Sequence, residues 1–280
     1  MDASSGHRLA GVVEKFNRAK EQFDEFRSEL DLFLDAEPEP YESVGEFDDD
    51  AWEWIERFQI RREFPLRFGV ILGDSIHNLR SALDHLICQV TLLDLPEGAS
   101  ADGVCDRTQF PIIYEGEAKF ERDANYRIPG LSAEHRALVK HVQPYHAGDG
   151  AHRHPLAVLA KLSNADKHRL INPTFSFMAS DTSKSLDDLF SYSGPDPSDI
   201  VGAQIIKRGQ RLEHDTPWLR LRFRTDAPRP HKVNVHANPT IGIALGEIGL
   251  DVMAFKELGE SVWKVIEAFM RDFPETEIVD

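Results

Sequence analysis

The stretch 65–95 constrains this chain more than any other. Leu72, Ile76, Leu79, Leu83, Leu86, Ile87 and Val90 fall on one arc at about 100° per residue, which predicts a helix of about thirty residues opened by Pro65. The opposite arc holds Asp74, His77, Arg80, Ser81, Asp84, His85 and Cys88. A solvated helix face is ordinarily written in Glu and Lys, which suit both helix and water. Short polar groups on an otherwise apolar helix predict a face packed against protein, where each group needs a partner. Gly69 and Gly73 add a small surface for close helix approach.

A second motif, Leu162-Ser163-Asn164-Ala165-Asp166-Lys167-His168-Arg169, closes a helix that Pro155 begins. Asp166 and Arg169 share a side with Leu159 and Leu162, and charges on a buried side need opposite charges. The expected pairs are Asp166 with Arg80 and Arg169 with Asp84. His135, His141, His146, His152 and His154 crowd the region just before. The two motifs together predict a polar cluster at a helix–helix seam. Three readings of that cluster stand side by side. It is a structural network that fixes helix register; or an active site built on Arg80, His85, His77 and Asp84; or a metal site in which Asp74 and His77 chelate with His168. Asn164, Asp166, Lys167, His168 and Arg169 supply binding groups in the second reading. The Glu-x-x-His pairs of di-iron bundles are absent, and no metal ligand set is assigned. GxSxG, P-loop, Rossmann and HExxH signatures are also absent, so no cofactor is expected.

The flanking patterns give the fold class. Val12, Phe16, Ala19, Phe23, Phe26, Leu30 and Phe33 form an apolar stripe that predicts a helix over 8–34, ended by Glu37-Pro38-Glu39-Pro40. Even spacing of Trp52, Trp54, Phe58 and Ile60 predicts a strand over 52–62. Phe110-Pro111-Ile112-Ile113 reads as a short strand in a loop-rich region. Pro129-Gly130 reads as a turn, Ser132 as the N-cap of a helix over 132–142, and Pro155 as the start of one over 155–168. From Ile171 the segments 174–178, 203–207, 218–224, 233–236 and 241–245 are short, with turn residues between them. Residues 180–200, rich in Ser, Asp and Gly, read as a mobile loop. Met253, Leu258, Val262, Val265, Ile266 and Phe269 mark a last helix over 250–272. Helices first and strands later predict an α+β protein: a helical bundle over 1–170, an antiparallel sheet of about four to six strands over 171–248, and a C-terminal helix over 249–280 packing back.

The compartment follows from what is missing. Met1 to Gly11 hold no apolar run, and no stretch of about 18 apolar residues exists, so neither a signal peptide nor a membrane partner is expected. Cys88 and Cys105 form neither a CxxC nor a disulfide framework, so the expectation is a cytoplasmic protein with free thiols.

Gly73-Asp74-Ser75-Ile76-His77-Asn78-Leu79-Arg80-Ser81-Ala82-Leu83-Asp84-His85-Leu86, with the 162–169 motif, resembles a widespread family of uncharacterised bacterial proteins. Within it, Arg80 and His85 match the Arg-x4-His spacing of the HEPN superfamily, helical-bundle proteins that include metal-independent endoribonucleases of toxin and defence systems. That resemblance implies RNA as substrate, Arg80 on the scissile phosphate, and His85 as general base or acid for attack by the ribose 2′-hydroxyl. Arg80 and His85 are about 140° apart on one helix, so they meet through the arginine's reach or across a homodimer. A non-catalytic scaffold and a metal-dependent bundle enzyme are the rival function classes.

Charge adds a second clue. Arg220, Arg222 and Arg224 alternate with Leu219, Leu221 and Phe223 on a half-buried strand, with Lys207, Arg208 and Arg211 nearby. That face reads as solvated or as a contact for an RNA backbone. The net charge of −16 argues at first against nucleic acid, but Glu21 to Glu56 alone carry fifteen acidic residues and one basic. The rest of the chain is almost neutral. The acidity therefore speaks to solubility, or to a basic protein partner docking on 21–56.

Overall fold

The computed structural model describes residues 8–168, 171, 173–176, 190–193, 196–206, 211–230, 232–237, 240–245, 248–251 and 254–273. The chain is α+β, as its pattern predicts. It divides into two compact units that are interleaved in sequence. The first takes 1–26, 70–170 and 253–280; the second takes 27–69 and 171–252.

Helices α1 (Ala10–Leu34) and α2 (Leu66–Leu93) run through the predicted stretches. In the first unit, Val12, Phe16, Ala19 and Phe26 of α1 are buried, as are all seven members of the α2 apolar arc from Leu72 to Val90. Short helices α3 (Val104–Arg107) and α4 (Glu117–Arg127) follow, then α5 (Ala133–His141), a 3-10 stretch Pro144–Arg153, and α6 (Pro155–Asp166). Ser132 caps α5 by accepting from the His135 amide, as predicted. The last helix, α7 (Ala254–Met270), buries Phe255, Leu258, Val262, Val265, Ile266 and Phe269. It packs on α1 through Trp263 against Phe16, with ring centroids 4.9 Å apart, and Phe255 against Phe23 at 5.1 Å. Such aromatic pairs add about 0.5–1.5 kcal/mol each beyond the area they bury.

The second unit holds the strands. β1 (Tyr41–Asp48), β2 (Glu53–Ile60), β5 (Ile200–Ile205) and β6 (Thr216–Phe223) make an antiparallel sheet in the order β1-β2-β6-β5. β3 (Pro173–Ser176), β8 (Thr240–Leu245) and β9 (Ile248–Asp251) form a three-stranded sheet, and β4 (Phe190–Ser193) pairs with β7 (Asn234–Ala237). The strands of 171–251 are thus shared among three sheets rather than gathered in one. The alternation read in 218–224 holds: Leu219, Leu221 and Phe223 are buried. Phe175 of β3 packs against Tyr41 and Phe58, each with centroids 5.3 Å away, and binds the small sheet to the larger one.

Three further expectations are corrected. Residues 190–193 and 197–199, read as part of a mobile loop, form β4 and a 3-10 turn; 180–189, 194 and 195 lie outside the described residues. Phe110–Ile113 is extended but joins no sheet. Cys88 and Cys105 are not free thiols: they form a disulfide, with Cα atoms 5.0 Å apart. Their separation of 17 residues carries no pairing signal; the fold turns α3 back onto the buried Cys88 position of α2.

Candidate functional site

The polar arc of α2 does not act as one face. Ser75 and Asn78, outside that arc, are buried against α1, where Ser75 Oγ donates to the Ala19 carbonyl at 2.9 Å and Asn78 Nδ2 donates to the buried Gln22 at 2.8 Å. Asp74, His77 and His85 are exposed, contrary to the expectation that the whole arc is packed. An α-carbon hydrogen of Gly11 on α1 points towards His85, whose Nδ1 lies 3.8 Å from where a Cβ would stand. Arg80 and Asp84 turn the other way.

Arg80 is held rather than free. Its Nη2 donates to Asp84 Oδ1 at 2.8 Å and to the Phe110 carbonyl at 2.6 Å, while the Phe110 amide donates to the same Asp84 oxygen at 2.9 Å. The arginine side chain is 12% exposed and the aspartate 30%. Burial pulls the Arg80 pKa down, with Arg127 adding like-charge repulsion and Asp84 opposing both. Burial likewise pushes Asp84 up, against the pull of Arg80, the Phe110 amide and Lys167.

Gln143 completes the support of this segment. Its Oε1 accepts from the Ile113 amide at 2.8 Å, and its Nε2 donates to the carbonyls of Pro111 at 3.0 Å and Val139 at 2.8 Å. The Phe110 amide and carbonyl, the Pro111 carbonyl and the Ile113 amide are therefore paired with Arg80, Asp84 and Gln143, and the Ile113 carbonyl with the Tyr145 amide, instead of with a neighbouring strand. No motif marked Gln143; its buried amide beside a helix end is the only signal the chain offers.

Between this segment, α4 and α6 lies a cavity of about 320 Å³. Arg80, Lys119, Arg127, Lys161 and Lys167 line it, with Glu115 and Asp123 as its carboxylates and Ser163, Asn164 and Tyr114 as neutral polar groups. Lys119 pairs with Glu115. Asp123 pairs with Arg122 at 3.2 Å. Arg127 donates to Gln109 at 3.0 Å, and Lys161 donates to the His152 carbonyl at 2.9 Å while its Nζ lies 5.3 Å from the Tyr114 ring centroid. Among the described residues Arg127, Lys161 and Lys167 have no carboxylate partner.

Asn164 and Lys167 line the same cavity as Arg80. Asp166 does not. Its carboxylate lies against Gly73, where an added Cβ would stand 2.5 Å from Oδ1. Gly73 is seven residues before Arg80, about 10 Å along the helix axis, so one carboxylate cannot serve both positions. Asp166 is raised by burial and by Asp74, with His77 opposing. Arg169 lies outside the described residues, and His168 is exposed. No three His, Cys, Asp or Glu converge as metal ligands among the described residues.

The histidines disperse into separate tasks. His135 Nδ1 lies 2.8 Å from Asp94, and its Nε2 lies 3.4 Å from Asp272. His154 caps α6 by accepting from the Leu156 amide at 3.2 Å, and burial lowers its pKa. His146 Nε2 lies 3.0 Å from the Lys140 carbonyl, and the His152 ring packs beside Tyr114 at 4.8 Å.

The two charge clues of the sequence meet each other in the second unit. The buried Glu53 binds Arg220 at 3.1 Å and Arg222 at 2.8 Å, and Arg224 binds Asp199 at 2.8 Å. Glu29 pairs with Arg67, Glu42 with Arg61, Glu46 with Arg57 and Asp49 with Arg229. Five of the fifteen acidic residues of 21–56 are thereby engaged by arginines of the same unit. Arg211 is exposed, and Lys207 and Arg208 lie outside the described residues.

No helix among the described residues is long and apolar enough to cross a membrane. Comparison with protein-family models, curated proteins and solved structures gave no match to this chain.

Proposed function

We propose that this protein binds RNA and takes a phosphate group of it in the Arg80 cavity. The observation that carries the reading is the lining itself: five cations face two carboxylates, and three of the cations have no acidic partner among the described residues. Guanidinium and ammonium groups at a partly enclosed polar site favour phosphate, since charge-assisted hydrogen bonds are roughly twice as strong as neutral ones. RNA is the ligand that the Arg-x4-His resemblance implies. The arginines of β6 make a poorer site, because Glu53 and Asp199 already neutralise them.

Cleavage is the second reading, and the same resemblance motivates it. It puts Arg80 and His85 on one phosphate, yet within one chain they face different neighbours. A metal-independent ribonuclease of this kind therefore needs two copies, with His85 reaching the Arg80 cavity of the other chain. Purified protein is mixed with labelled RNA in EDTA at rising salt, beside Arg80→Ala and His85→Ala. Binding that weakens with salt and is lost in Arg80→Ala is the expected result. Failure of the folded wild type to bind overturns the proposal. Fragments ending in 2′,3′-cyclic phosphate, lost in each variant and regained on mixing the two, would establish the ribonuclease.

A further inference from the structure

We infer that the group bound in this cavity is a terminal phosphomonoester and not an internal diester of a continuous strand. The inference rests on the phosphate-binding reading above and narrows it. Its first support is size. About 320 Å³ is at the small end of ligand clefts, which span roughly 300–1,000 Å³. Arg80 lines it with a side chain only 12% exposed, backed by Asp84 and the Phe110 backbone. A phosphate that reaches this guanidinium must come from the side that Asp84 and the Phe110 backbone leave free. A single connection to the rest of the ligand can leave by the mouth, whereas an internal diester must bring two strands back out.

Charge is the second support. A phosphomonoester carries about −1.5 to −2 at pH 7, where a diester carries only one charge. The lining carries five cations against two carboxylates, and Arg127, Lys161 and Lys167 form no ion pair among the described residues, so the cavity matches a dianion better than a monoanion. Tyr114 is the aromatic wall, fixed by Lys161 at 5.3 Å and the His152 ring at 4.8 Å, and gives a base or sugar next to the phosphate an apolar surface. The shared chemistry is a phosphomonoester on a nucleotide, supplied either by a free nucleoside monophosphate or by a phosphorylated RNA end.

Titration calorimetry on the full chain compares adenosine with adenosine 5′-monophosphate, and a hexaribonucleotide carrying a 5′-phosphate with the same hexamer ending in a hydroxyl. At least one phosphorylated member is expected to bind about tenfold or more tightly than its unphosphorylated partner, the scale of a charged hydrogen bond. Which pair shows the difference tells the free nucleotide from the RNA end. Lys167→Ala, at an exposed position, is expected to lose most of that preference while unfolding at the wild-type temperature, and Arg127→Ala, at a half-buried one, to lose it too. Equal, cavity-dependent binding of both hexamers, with neither phosphorylated ligand preferred, overturns the terminal assignment and leaves RNA binding standing. No binding of any of the four overturns both.

Discussion

Arg80 and Asp84 show what burial does to an ion pair. Each pKa moves against its charged form although the two groups are 2.8 Å apart, so loss of water outweighs their attraction. Removing one partner is then worse than removing both. Asp84→Ala, which leaves the guanidinium uncompensated, is expected to cost about 3–5 kcal/mol of stability in urea unfolding. Arg80→Met combined with Asp84→Leu should recover only the part due to the uncompensated charge, because the buried Phe110 amide and carbonyl stay unpaired, and should abolish phosphate binding. An Asp84→Ala protein as stable as wild type would show that the pair does not anchor the 110–113 segment. The residue types at this site were legible in the chain, because Asp, His and Arg on an apolar helix are out of place. Their pairing was not. It depends on which turn of α2 faces the end of α6, and the close approach at Gly73 brings Asp166 there instead of to Arg80.

Elements with one continuous apolar stripe were the readable ones. α1, α2, α6 and α7 each bury a single face, and the periodicity shows it. α4 escaped because its sequence, EAKFERDANYR, buries only Phe120 and Ala124 and is otherwise charged. β1 escaped because its residues are mostly half-exposed and three of its eight are acidic, with Glu46 and Glu42 answered by Arg57 and Arg61. The 110–113 segment misled for the opposite reason: its side chains are buried like those of a strand, but side chains satisfy its backbone. Gln143→Ala is expected to cost about 1–3 kcal/mol by leaving buried backbone groups unpaired. It should also speed hydrogen exchange at the Ile113 amide and weaken phosphate binding. Unchanged exchange there would mean that Gln143 is not what holds the cavity wall.

At the scale of the whole molecule, stability against pH carries the mark of one buried carboxyl. Glu56, on the inner face of β2, accepts from Trp54 Nε1 at 2.7 Å and from Ser43, which in turn accepts from Trp218 Nε1 at 2.9 Å. Burial raises its pKa above the ordinary 4.5, although both hydrogen bonds pull it down. A raised carboxyl contributes stability that is present below its unfolded pKa and lost as pH rises through the folded one. The stability of Glu56→Gln relative to wild type is therefore expected to increase from pH 4 to pH 8, measured by urea unfolding at each pH. A constant difference would mean that Glu56 ionises as freely in the folded chain as in the unfolded one.

The interleaving of the two units has a consequence for how the chain is made. A ribosome delivers α1 first, then most of the second unit's hairpin, then the α2–α6 region, then the remaining strands, and α7 last. The aromatic faces of α1 at Phe16 and Phe23 wait for Trp263 and Phe255 throughout that time. Neither unit is a continuous stretch, so neither can be finished while the other is still unmade. The first unit's core therefore stays open until α7 is made, whereas every segment of the second unit precedes α7.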